Sequence, residues 1–551
     1  MLSALEGSLN KLRVQGLLVL LISLATLTSR AQPVFSNVVS LGIISNSVLS
    51  ETSGLATSPN NVGVLWTHND VGDTNRIFAL SAQGKLLGTY NLSNATHVDY
   101  EDIATGPGPV TNVQYLYVGD VGDNKSVRSE IAVYQLPEPA VYLRQATNPV
   151  TFNLKGVRKI SFHYPDGAHN AETLLVDPLT GDLFVGTKQT NVCRIYRATR
   201  AQVDAGGTST LTFVRQIDLD AVSGGTISPT GGEIVLRSPD LARLWTRAPG
   251  QSVSNALGGT ARPIPVVGRT NEPFGEGLSF DPTGRSYYTI SDSTPVQPLY
   301  YFGRVSPFAF RPPRTLIGAG AVWRYLDTGT NPAAAWRTNG FDDSVWKSGE
   351  GQFGYGEGDE QTVVSYGPNV SSKFVTTWFR KSFVATNLTN LARLELKLLF
   401  DDGAAVFLNG TPIALVNLTN GAVFNSFATN TQENFENTWF AFSVSPTLLV
   451  DGTNVLTVEI HQVSASSDDL SFDAQLLAHE TVPSQIVSRV RQTNGAWAMT
   501  FLSPAINVTV EASTQLPGWS DLGSTPVTNG SGAFVDLTAT NHLQRFYRLR
   551  Q

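Results

Sequence analysis

With a single cysteine, Cys193, the 551-residue chain cannot form a disulfide within itself. Its stability must come from large cores or bound ions. Cys193 lies between apolar residues in "NVCRIYRA" and reads as a small buried hydrophobe rather than a nucleophile. Charge is scarce as well. Lys, Arg, Asp and Glu make up 15% of the chain, the net charge is −7, and no long Lys/Arg run occurs. Nucleic acid is therefore not an expected partner, because phosphate binding needs concentrated positive charge. There is no Cys/His metal spacing and no Gly-x-Ser-x-Gly elbow. Past the N-terminus, no apolar run is long enough to span a bilayer.

Turn formers are plentiful. Gly at 49 and Pro at 29, with abundant Thr, Asn and Ser, favour many turns and few long helices. Hydrophobic residues at 41% mark a globular chain, and its length suggests about three domains. At the start, Lys11 and Arg13 precede the apolar run "GLLVLLISLATL" at 16–27, and Ser29 and Ala31 hold the −3 and −1 positions of a cleavage site. This predicts a signal peptide over 1–31, or failing that a single anchoring helix. Both imply export, to the periplasm, the cell surface or the medium.

From 35 to 305 a degenerate unit recurs. Five stretches, starting at Ser53, Glu101, Glu172, Gly225 and Glu276, each read as an apolar strand, a Pro/Gly/Asn turn and a second apolar strand. A third strand follows, at "RIFALS", "EIAVYQLP", "RIYRAT", "ARLWTRAP" and "PLYYFG". A 40–70-residue unit of about three or four strands is the signature of a β-propeller. The spacing allows five to seven units, with six favoured if the N-terminal strand "VFSNVVSLGII" closes one more. Residues 306–321 are Pro- and Gly-rich and read as a linker. From 322 to 479 the pattern alternates, as in Leu394, Leu396 and Leu398 against Glu395 and Lys397, which predicts half-buried strands of a jelly-roll β-sandwich. After a second linker, 486–551 carries short strands of a small C-terminal β-domain. The fold class expected is all-β.

The repeats resemble a family of secreted bacterial β-propeller proteins, some described as phytase-like or esterase-like. The matching stretches are Trp66–Asp73, Asp99–Ala104, Tyr117–Asn124 and Gly275–Gly284. The fourth unit departs from that pattern, with Gly225-Thr226 where an acid is expected. Residues 322–479 resemble the galactose-binding-like modules attached to secreted hydrolases, through "VWRYLDTG", "DDGAAVFLNG" and "EIHQVSASSDDLSFDAQL". The C-terminal stretch resembles small terminal β-modules of secreted environmental bacteria, through "WSDLG" and "RFYRL".

Candidate chemistry collects on one face. In a propeller the first strand of each unit lines the axis, so Glu101, Glu172 and Glu276 become neighbours there, with Ser53 and Gly225 in the other two units. Converging carboxylates must be solvated, protonated, paired with a base or neutralised by a cation. The second strands end at Asp70, Asp120, Lys188, Arg237 and Asp292. Two turns share the sequence Asp-Val-Gly-Asp, at Asp70–Asp73 and Asp120–Asp123, with Asn124 after the second. Asp70, Asp73, Glu101, Asp102, Asp120, Asp123 and Asn124 thus form a candidate oxygen-ligand set, which suits Ca²⁺. The alternative is that these Asp and Asn side chains cap their own turns. For catalysis, Glu101, Glu172, Lys188, Arg237 and Glu276 are the candidates: Lys188 and Arg237 to hold a phosphate and a Glu to position water. In the sandwich, Trp336, Trp346 and Trp378 can either stack on a sugar or fill the core. The functional expectation is an exported binding or surface-interaction protein with an acidic, calcium-binding mouth, taking an extracellular glycan. The alternative is a calcium-dependent phosphoester hydrolase acting on a phosphorylated small molecule.

Overall fold

The computed structural model describes residues 34–292, 297–305, 312–480, 483–503, 507–527, 531–542 and 544–550. The signal-peptide segment 1–31 and the first part of the 306–321 linker lie outside them. The chain is all-β, as expected, and divides into two compact units. The larger runs from Phe35 to Gly303 and from Pro313 to His479; the smaller contains Glu480–Gln551.

Within the larger unit, five sheets follow one another along the chain. Their innermost strands are Thr52–Thr57, Tyr100–Pro107, Ala171–Val176, Gly224–Ile227 and Gly275–Phe280. Each packs against the innermost strand of the next sheet, and the fifth packs against the first, so the sheets close a ring. Side chains stitch the neighbours together. Thr57 N donates to Ser279 Oγ at 3.0 Å across the closure, and Ser53 Oγ donates to Glu101 O at 2.8 Å. A cavity of 220 Å³ lies on the axis, lined by Leu55, Ile103, Leu174, Ile227 and Phe280, one from each sheet.

The unit count resolves to five within the expected range of five to seven. The N-terminal strand adds no sixth sheet. Val39–Ile44 instead pairs antiparallel with Gln297–Val305, Val39 opposite Tyr301, and completes the fifth sheet on its outer side. Two sheets gain an outer parallel strand from an insertion: Val150–Leu154 on the first and Gly207–Thr210 on the second. Cys193 is fully buried between sheets, and burial pushes its thiol up to about 12, which fits a packing role.

Two six-stranded sheets form the sandwich. The long strand Leu391–Asp401 belongs to one and Gly403–Leu408 to the other, so the chain changes sheets at Asp401–Asp402. Asn409 and Gly410, both at positive φ, make the tight hairpin to Thr411–Val416. Part of the stretch expected to be a linker is a strand: Arg314–Ile317 pairs with Leu470–Glu480. Its Thr-Leu-Ile run supplies the β-branched and apolar side chains a sheet edge takes, which the neighbouring Pro and Gly residues masked.

Ring and sandwich share one apolar core, which runs from Val113 and Tyr117 into Phe400 and Phe440. Polar contacts fix the junction. Buried Lys397 donates to Pro59 O at 3.0 Å and Asn60 O at 3.1 Å, Trp439 Nε1 donates to Asn61 Oδ1 at 3.1 Å, and Tyr142 OH donates to Asp473 Oδ2 at 3.0 Å. Beside Lys397, burial raises Glu395, but the hydrogen bond from His479 and the charges of Lys397 and Arg393 win and hold it at about 2. A depressed carboxylate contributes stability above its unfolded pKa of about 4.3, lost as pH falls toward 2. We expect thermal melts from pH 5 to pH 2 to lose part of their acid sensitivity in Glu395→Gln.

The smaller unit holds two three-stranded sheets around Met499, Phe501, Val508 and Val510. Among the described residues, no helix is long and apolar enough to cross a membrane.

Candidate metal centre

One irregularity builds the site. Four of the five innermost strands carry a bulge at the same station, between Thr52 and Leu55, Tyr100 and Asp102, Ala171 and Thr173, and Gly275 and Leu278. A bulge inserts a residue and re-aims its side chain. The re-aimed residues include Glu101, Glu172 and Glu276. The fourth strand, which has Gly225 in place of an acid, keeps unbroken register. Each of the three acids thus sits at a bulge; the first strand has the bulge with Ser53 instead, and the fourth has neither.

Around this station the structure gathers Asp70, Asp99 and Glu101, whose ligand oxygens lie within 4.8 Å of one another. Glu101 and Asp99 are buried, with 3% and 8% of their surface exposed. Asp70 Oδ1 and Asp99 Oδ1 have no hydrogen-bond partner among the described residues. Gly122, from the second Asp-Val-Gly-Asp turn, forms the wall. A Cβ there would come within 2.3 Å of Glu101 Oε1 and 2.5 Å of Asp99 Oδ2, so only glycine leaves the space open.

The remaining acids adjoin this group. Lys188 is ion-paired to Glu172 Oε2 and lies 3.7 Å from Glu276 Oε1, while Glu276 Oε2 is buried without a partner. Burial and the Glu172 charge raise Glu101 well above the usual carboxylate range and bring Glu276 to about 8. Burial and Asp70 raise Asp99 to about 6 and Asp292 to about 7. One lysine does not neutralise this many acids, and a divalent cation bound by oxygens would. His68 is a neutral neighbour: burial lowers it to about 4.

Other expected ligands have different work. Asp73 is held by Arg76, with Nη2 2.7 Å from Oδ1, and accepts from Asn69 Nδ2 at 2.7 Å. Asp102 accepts the amides of Ile103 and Leu174, each at 2.9 Å. Asp120 pairs with Arg128 at 2.8 Å and accepts the Asp99 amide at 3.1 Å. Asp123 accepts the Arg128 amide at 2.6 Å, and Asn124 Oδ1 meets Asn170 Nδ2 at 3.3 Å. The two turns therefore divide the alternatives. Asp70 joins the cluster, whereas Asp73, Asp120 and Asp123 hold turns and two arginines, Arg76 and Arg128. Asp99 joins the cluster although it precedes the strand, outside the repeated opening station; its sequence signal is its place two residues before Glu101.

Arg237 requires a correction as a catalytic candidate. It is fully buried and ion-paired to Glu272 at 3.2 Å, with Nη1 3.3 Å from Gly277 O. A buried guanidinium already committed to a carboxylate cannot take a phosphate. The sandwich tryptophans are corrected in the same way. Trp336, Trp346 and Trp378 pack on one another with at most 5% exposed, so no ring face is open to a sugar. Trp336→Ala should lower stability by about 3–5 kcal/mol in denaturant melts, as for other buried aromatics. In the neighbouring loop, Asp343 lies 2.7 Å from Arg380 Nε.

No family model and no curated protein matches the chain. Similar solved structures include a nidogen/laminin complex, at 13% identity over 44% of this chain and 73% of the other, with a TM-score of 0.27. A luciferin-regenerating enzyme is 9% identical over 51% of this chain and 98% of the other, with a TM-score of 0.28. A β-glycosidase from Bacteroides vulgatus is 14% identical, covers 40% of this chain and 29% of its own, and has a TM-score of 0.20. At these TM-scores the likenesses assign neither a fold nor a function.

Proposed function

We propose that the five-sheet ring is a β-propeller whose mouth binds Ca²⁺, and that the protein is an exported, calcium-dependent binding protein. The observation carrying this reading is the Asp70–Asp99–Glu101 cluster, with two buried oxygens lacking a partner and a glycine-lined space beside them. Asp70, Asp99 and Glu101 would hold the ion. Ca²⁺ takes six to eight oxygens, so three protein ligands leave positions for hydroxyls of a bound molecule. The ligand class we favour is an extracellular glycan, whose neighbouring hydroxyls chelate Ca²⁺ without a further protein base. Glycan arrays probed with the full chain in Ca²⁺ and in EDTA test this. Signal in Ca²⁺ that disappears both in EDTA and in Glu101→Gln is the expected result, and equal signal in EDTA would reject it.

A calcium-dependent phosphoester hydrolase is the second reading, favoured by Lys188 lying between Glu172 and Glu276. It is the weaker one, because both cations proposed to grip a phosphate, Lys188 and Arg237, are already ion-paired. Ca²⁺-dependent turnover of a phosphoester panel, lost in Lys188→Met, would reverse the ranking.

A further inference from the structure

A second acidic group lies in the same unit, in a cleft of 480 Å³ between the outer strand Val150–Leu154 of the ring's first sheet and the sandwich. Glu357, Glu436 and Asp469 bring one oxygen each to within 4.8 Å of the others. That is about the separation of two oxygens on opposite sides of one Ca²⁺, at 2.3–2.6 Å from the ion. A separate observation points to a missing partner. Asp401 is 2% exposed, its carboxyl adjoins those of Asp402 and Asp469, and its Oδ2 has no partner among the described residues. The neighbouring Asp402 is not available, because it accepts the amides of Gln432 and Val463. The base in contact is Lys155, 3.3 Å from Glu436 and more than half exposed.

We infer that Glu357, Glu436 and Asp469, with Asp401 beside them, form a second divalent-cation site that takes Ca²⁺ and clamps the sandwich loops to one another beside the ring. The donors are all carboxylate oxygens, the class that suits a hard cation. They come from four separate segments: the turn after Phe353–Tyr355, the approach to Phe440–Val444, the end of Leu391–Asp401, and the residue before Leu470–Glu480. Gly356, at φ +108°, permits the approach. A Cβ there would meet Asp468 O at 2.7 Å and push Glu357 away from Asp469. Lys155, carried by the ring, extends the clamp across the cleft through Glu436.

The inference is independent of the mouth reading, and calorimetric titration of the EDTA-treated full chain with CaCl₂ separates the two. Wild type should bind two Ca²⁺, Glu101→Gln one, and Glu101→Gln with Glu357→Gln and Asp469→Asn none. If Glu101→Gln binds none, or the triple variant still binds one, the second site is wrong. If Glu101→Gln binds as many as wild type and the triple variant loses one, the second site stands and the mouth reading fails. Should the triple variant not fold, hydrogen exchange on Glu101→Gln decides. Ca²⁺ should slow exchange at 354–360 and 467–470 by about tenfold or more. Unchanged exchange there overturns the proposal.

Discussion

Calcium is expected to raise the melting temperature of the EDTA-treated protein, and Glu101→Gln and Asp99→Asn should each remove the part of that rise due to the mouth. At a free Ca²⁺ concentration 100 times Kd the stabilisation is about 2.7 kcal/mol, or roughly 3 °C for a unit of this size. Gly122→Ala makes the sharper test. It removes no ligand, yet its methyl would occupy the space between Glu101 and Asp99, so Ca²⁺ affinity should fall at least as far. The metal-free protein should also respond to pH in a definite direction. Asp99, Asp292 and Glu276 titrate when folded at about 6, 7 and 8, above the roughly 4 of exposed carboxylates. Lys188 and Arg128 face the same group and oppose these shifts without cancelling them. The folded chain thus keeps protons that the unfolded chain releases. That contribution is complete below about pH 4 and is lost as pH rises through 8. Differential scanning calorimetry in EDTA should show Tm falling between pH 5 and pH 8, and saturating Ca²⁺ should flatten the decline. A metal-free Tm that rises across this window would contradict the picture of a crowded acidic mouth.

The second large effect is expected one residue away. Asp102→Ala should destabilise the ring by about 3 kcal/mol or more, with or without Ca²⁺. Asp102 accepts amides from its own strand at Ile103, from the third sheet at Leu174 and from the fourth at Gly225. Each buried amide left without an acceptor costs about 1–3 kcal/mol, against a typical total stability of 5–15 kcal/mol. Chemical denaturation of Glu101→Gln and Asp102→Ala would separate the roles of two adjacent acids. The first should lose the mouth's share of the Ca²⁺ response and keep its metal-free midpoint. The second should lose its midpoint whether or not Ca²⁺ is present.

That contrast also shows what was legible from residues alone. The strand–turn–strand periodicity placed the five innermost strands and the opening stations of Glu101, Glu172 and Glu276, because alternation is a local property. It could not tell Glu101 from Asp102. Which of them meets the mouth depends on a bulge, and which meets the Leu174 and Gly225 amides depends on strands far along the chain. The same holds for Arg237. Its place at the end of a second strand matched that of Lys188, but Glu272, from a connecting segment, claimed it. Asp73 went to Arg76 through a contact only three residues long, so that loss was legible in principle. For the sandwich, the strands were evident in Leu394–Leu398, whereas the burial of Trp336, Trp346 and Trp378 depended on three separate segments meeting.

The pairing of Val39–Ile44 with Gln297–Val305 bears on time as well as shape. The first strand of the ring to be synthesised has no partner until the last has been made. Until then the fifth sheet is incomplete, and the Thr57–Ser279 contact that closes the inner circle is missing. Pairings so distant along a chain form slowly, because loop closure precedes any gain from contact. Glu276 belongs to that last sheet, so the acidic mouth assembles only when the circle does. A chain still emerging from its ribosome would carry four sheets, an open apolar flank and an acidic group that lacks Glu276.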